Sequence, residues 1–176
     1  MAKDVVEQQS SFPFLEKDHR TIEAQSERLL DLLIDFRYDG PAAMEGHVRQ
    51  SKELIDDLTR KFREHLKADE EVFSFIENHV PKLEQAIRML GAEHKQIHVN
   101  FEVLEFLMYD LPMEKSEFKR LKILEKIREK GTYLVYLIQH HIHAEEAIVY
   151  RAIEESLSHE EREEMGRRIR KSLPET

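Results

Sequence analysis

Residues 65–70 read His65-Leu66-Lys67-Ala68-Asp69-Glu70, and residues 141–146 read His141-Ile142-His143-Ala144-Glu145-Glu146. Each stretch sets a carboxylate four residues after an imidazole, a spacing that stacks both side chains on one face of an α-helix. Each also follows an earlier histidine at nearly the same distance. His19 lies 46 residues before His65, and His94 lies 47 residues before His141. The chain therefore carries the same set of metal-ligating residue types twice, as two halves of one site would.

Outward from these stretches the apolar residues recur with a helical period, and Pro, Gly and Asp gather between four long segments. The first runs from about Phe14 to Phe36, with Leu15, Ile22, Leu29, Leu33 and Phe36 on one face. Tyr38-Asp39-Gly40-Pro41 ends it, and Pro41 suits the first turn of the next helix. The second runs from about Ala42 to Glu77, the third from about Lys82 to Tyr109, and the fourth from about Ser116 to Leu157. On the fourth, Leu134, Leu137, Ile138, Ile148 and Ala152 form the apolar face. Ser158-His159-Glu160-Glu161 has the form of a capping box and predicts a short C-terminal helix over about 159–172, polar enough to lie on the surface. No segment alternates with the two-residue period of a strand. The expected fold is all-α: an up-down-up-down antiparallel four-helix bundle with a core over about 14–156, forming one domain over 1–176.

Composition narrows the function. There is no cysteine, which excludes disulfides, zinc knuckles, cysteine-held iron–sulfur clusters and thiol catalysis together. A formal net charge of −9 argues against a nucleic-acid partner, which needs a basic footprint. No run approaches the ~20 apolar residues of a membrane span, and the N-terminus has no apolar signal core, so the cytoplasm is the expected location and no membrane partner is expected.

The polar residues on the apolar stripes carry the chemistry. His65 and Asp69 fall on 55, 58, 62, 65, 69, 72, 76, and His141 and Glu145 fall on 134, 137, 138, 141, 145, 148, 152. His94 and His98 interrupt the third stripe and His19 the first. Counted from the turn near Val80, His65 is 15 residues before and His94 is 14 after, so the two sit level. Five imidazoles and two carboxylates pointing inward need partners or metal. This donor set suits iron, manganese or zinc, and carboxylates with two oxygens each can bridge a pair of ions. His140 and His143 rotate off the stripe, while His47, His79 and His159 sit near helix ends and read as surface residues. A ferritin-like Glu-x-x-His pair is absent, since the residues three before His65, His94 and His141 are Phe62, Gly91 and Ile138.

This arrangement resembles the hemerythrin family, in particular the bacterial hemerythrin-like HHE cation-binding domains. The residues that carry the resemblance are His19, His65 with Asp69, His94 with His98, and His141 with Glu145 or Glu146, across about 14–156. The resemblance implies a centre of two iron ions, bridged by an oxo or hydroxo group and by two carboxylates. It implies three histidines (His94, His98, His141) on one iron and two (His19, His65) on the other, whose sixth position is open to O₂ or nitric oxide. Asp69 stands where the family usually has Glu, so Glu70 competes with it for the bridge, as Glu146 does with Glu145. The implied role is a carrier, store or sensor of a small diatomic ligand rather than an enzyme. The alternative is a di-iron enzyme for peroxide detoxification or iron donation to iron–sulfur cluster repair.

Overall fold

In the computed structural model, residues 13–36 and 41–172 are described. The expectations on the N-terminal segment and on residues 38–40 lie outside them. Four long helices follow one another: α1 (Pro13–Asp35), α2 (Pro41–His79), α3 (Glu84–Asp110) and α4 (Glu117–Glu145). Pro81–Leu83 forms a single 3₁₀ turn between α2 and α3, and α2 opens on Pro41. Beyond α4 come a π-helical turn (Glu146–Tyr150), α5 (Arg151–Ser156) and α6 (His159–Ser172). No described residue is in a strand. None of the described helices is long and apolar enough to cross a membrane.

The helices pack as a closed ring, α1 against α2 and α4, and α3 against α2 and α4. Short connections make neighbours antiparallel, giving the expected up-down-up-down all-α bundle. Two apolar cores fill it. The larger holds Ile22, Leu29 and Leu33 with Ile55, Leu58 and Phe62, Ile97, Phe101 and Leu104, and Leu134 and Ile138. The second holds Leu15, Val72, Phe75, Ile76, Ile87, Leu90, Val149 and Ile153. Close to the changeover between them, every long helix carries one site histidine: His19, His65, His94 or His141.

α6 begins with the capping box that the sequence predicts. Ser158 N donates to Glu161 Oε2 at 2.7 Å, and Glu161 N donates back to Ser158 Oγ at 3.3 Å. Arg167, Arg168, Arg170 and Lys171 face solvent, while Met165 and Ile169 complete the second core against α2. This helix closes the end of the bundle above the histidine layer.

The π turn corrects the predicted face of the fourth segment. A turn closed by i→i+5 bonds takes up one residue more than an α turn, so the inward stripe shifts by one beyond Glu145. Val149 and Ile153 are fully buried, whereas Ile148 is 39% exposed.

Gly131 marks the closest approach of α4 to α1. A Cβ there would lie 2.4 Å from the Leu33 Cδ1 methyl, and Leu33 is fully buried. Gly91, inside α3, would place a Cβ in open space. Gly131→Val should lower the unfolding free energy in urea titration by about 1–3 kcal/mol through overpacking. Gly91→Ala should raise it by about 0.5–1 kcal/mol through helix propensity.

Candidate metal centre

The four long helices bring six side chains to one layer. His19, His65, Asp69, His141 and Glu145 are essentially fully buried, and His94 is 11% exposed. The imidazoles meet in two pairs through their Nε2 atoms. His19 and His65 are 3.1 Å apart, and His94 and His141 are 2.9 Å apart. The carboxylates join the pairs. Asp69 Oδ2 lies 3.2 Å from His65 Nε2 and 3.4 Å from His94 Nε2. Glu145 Oε2 lies 3.3 Å from His19 Nε2 and 3.7 Å from both His65 and His141 Nε2. Ligand atoms of His65, Asp69, His141 and Glu145 all fall within 4.8 Å of one another.

The members of each carboxylate pair differ in burial. Asp69 is in the cluster and Glu70 is exposed, because residue 70 turns about 100° away from its neighbour on α2. Glu145 is likewise inside. Glu146 is half-exposed and accepts a hydrogen bond from His19 Nδ1 at 2.9 Å.

His98 is not brought to the cluster. Its side chain is 45% exposed, with Nε2 3.3 Å from Glu102 Oε1. The buried residues of α3, from Ile87 through Met108, centre on a line from which His94 departs by about 40° and His98 by about 80°. Only the nearer imidazole reaches the interior. The buried layer thus holds two imidazole pairs, with His98 outside it.

Four of the five histidines read as peripheral are so placed. His140 and His143 are exposed, His159 pairs with Glu163 on the surface, and His79 donates to the Phe75 carbonyl at 2.8 Å. His47 is partly buried.

Three further groups surround the cluster, of which Glu93 and Tyr150 were not singled out by the sequence reading. Glu93 Oε2 accepts from His141 Nδ1 at 3.2 Å, doing for that ring what Glu146 does for His19. A carboxylate on Nδ1–H holds the ring in the tautomer whose Nε2 lone pair faces inward, the orientation that a metal ligand needs. The Phe62 ring centroid lies 6.0, 6.3 and 6.2 Å from those of His65, His94 and His141, so one phenyl floors three imidazoles. Tyr150 stacks parallel on His19 at 5.3 Å, its hydroxyl 3.4 Å from His19 Nε2.

The electrostatics show what the site lacks. Both oxygens of Asp69 and both of Glu145 are buried without a hydrogen-bond partner. Such atoms are costly unless something further neutralises them. Burial and the Glu145 charge push the Asp69 carboxyl well above the usual carboxylate range. Burial acts on Glu145 in the same sense, but the imidazoles of His19 and His65 beside it outweigh burial and hold this carboxyl low. Burial disfavours the His19 imidazolium, yet Glu145, Glu146 and Asp69 together raise its pKa to about 9. His141 is lowered to about 3 by burial and then by the charge of His94, and His94 is lowered by burial. Without metal, then, a proton on His19 answers the charge of Glu145, and Asp69 is pushed toward its neutral form. Donor types, inward lone pairs and orphaned oxygens all fit a bound metal.

The chain matches the hemerythrin HHE cation-binding domain over residues 11–153. It belongs to that family, and its buried His/Asp/Glu cluster is compatible with metal binding. No curated protein matches the chain.

A pH dependence follows for the metal-free protein. A His19 pKa raised from 6.5 to about 9 stabilises the fold fully below pH 6.5, and that contribution is lost as pH rises through 9. The shift corresponds to about 3 kcal/mol. Urea unfolding of chelator-treated protein should show stability falling between pH 6.5 and 9.5, and His19→Gln should flatten that slope.

Proposed function

We propose that this protein holds two iron ions and reversibly binds O₂, or another small diatomic such as nitric oxide, as a carrier, store or sensor. The observation that carries the proposal is the pairing in the buried layer. Two imidazole pairs are linked by two carboxylates whose four oxygens find no hydrogen-bond donor. His19 and His65 would hold one ion, and His94 and His141 the other. Asp69 and Glu145, each close to histidines of both pairs, would span them. Nitrogen and carboxylate donors together suit iron, and manganese or zinc can occupy the same set.

What iron supplies when bound is electrons and an open coordination position for the diatomic ligand. The remainder is the work of the protein. Glu93 and Glu146 aim the rings of His141 and His19. Phe62, Phe101, Leu58 and Ile97, each at most 1% exposed, keep water away from the inner side of the layer. A dry, apolar surround favours release of the bound gas over irreversible oxidation, because charged products are poorly solvated there.

The optical test uses reduced, iron-loaded protein. Exposure to O₂ should develop visible charge-transfer bands that fade on deoxygenation. Bands that never reverse would sink the carrier reading, and steady turnover of added peroxide would make the protein an enzyme instead. The ligand assignment has its own check. His98→Ala should retain the full iron content of the purified protein, whereas His94→Ala should lose at least half of it.

A further inference from the structure

Tyr150 is unused by this reading, although it reaches the same layer. Five residues after Glu145, its side chain would lie about 140° away from that carboxylate on a regular α-helix. The π turn over Glu146–Tyr150 makes i and i+5 stack instead, and swings the phenol back over the cluster. The ring lies parallel to that of His19, within 1°, which fixes the direction of the hydroxyl.

The spacing of atoms around His19 Nε2 is that of a coordination shell. Two ligands on one ion at right angles, with bonds of about 2.1 Å, stand about 3 Å apart. His65 Nε2 is 3.1 Å from His19 Nε2, Glu145 Oε2 is 3.3 Å from it, and the Tyr150 hydroxyl is 3.4 Å from it. The phenol oxygen therefore stands at ligand-to-ligand distance from His19 Nε2, as His65 Nε2 and Glu145 Oε2 do.

We infer that Tyr150 is a protein ligand of the metal held by His19 and His65, binding through its phenolic oxygen as a tyrosinate. The inference rests on the two-iron reading and extends it. As the oxygen–metal bond forms, the O–H bond breaks and the proton leaves to water. An open cleft of about 400 Å³ borders Tyr150 and is lined by Glu16, Arg20, Glu23, Glu146, Arg151 and Glu154, so solvent reaches that edge. A phenolate suits ferric iron, a hard cation that takes oxygen donors readily.

The consequence concerns which half of the centre remains open. With Tyr150 counted, the His19 half has three side chains of its own and the His94 half has two, beyond the shared carboxylates. The asymmetry that His98 was expected to supply is restored on the opposite side. The open position then belongs to the His94–His141 half, against Phe62 and the Phe73 ring that stacks on His94 at 5.3 Å.

The test is spectroscopic and independent of gas binding. Ferric-loaded wild-type protein should show a visible tyrosinate-to-iron absorption, and resonance Raman excitation within it should enhance phenolate ring modes that shift on ¹³C-tyrosine labelling. Tyr150→Phe should abolish both signals while the protein retains iron. Tyr136→Phe, at a 60% exposed tyrosine, should leave them unchanged. Two irons per chain with no label-sensitive phenolate modes in the wild type would overturn the inference and leave the two-iron reading standing. A wild-type chain that takes up no iron would overturn both. Because the Raman measurement is made on the unmutated protein, misfolding of the Phe variant would not rescue the inference.

Discussion

The structure depends on a polar layer that it has no apolar means of satisfying. Two carboxylates and four imidazoles lie between two hydrophobic cores, and the four carboxylate oxygens have no hydrogen-bond donor. An uncompensated charge in such a place costs several kcal/mol, more than most single contacts return. The chain accepts that penalty at one height only, and it does so with residues from all four helices. The layer therefore also sets the register of the bundle: sliding one helix by a turn would move its histidine into a core and leave a gap in the cluster.

The metal-free state is a compromise among these groups. Glu145 keeps its charge through the imidazoles of His19 and His65 beside it, and Asp69, pressed against it, is pushed toward its neutral form. The outer carboxylates Glu93 and Glu146 are less buried and act at one remove, by holding Nδ1 of His141 and His19. Inner groups are thus desolvated and outer ones partly wet, which keeps the Nε2 atoms turned to the centre.

Much of this was legible in the chain. The i, i+4 pairs His65/Asp69 and His141/Glu145 fall on strong apolar stripes, and helix geometry alone sends them inward. The capping box at Ser158 announced α6 because its partners are local. His98 misled because i+4 from an inward residue is not itself an assurance of burial. His94 already stands at one margin of the α3 stripe, and a further 40° carries His98 past it. Glu93 sits at the opposite margin, and only the presence of α4 beside it makes that margin part of the site. Ile148 and Tyr150 were misplaced or passed over for a single reason, since nothing in a regular period of 3.6 signals an inserted π turn.

The sequence by itself determined the helical class, the helices and their connections, and the six inner donors, because each follows from periodicity and side-chain type within one element. Tertiary structure decided the rest: that Glu93 and Glu146 stand behind the rings of His141 and His19, that His98 faces out, and that Tyr150 comes back over His19. Those outcomes depend on differences of a few tens of degrees between neighbouring helix faces, and on one turn of altered pitch. Such differences acquire meaning only when another helix stands opposite.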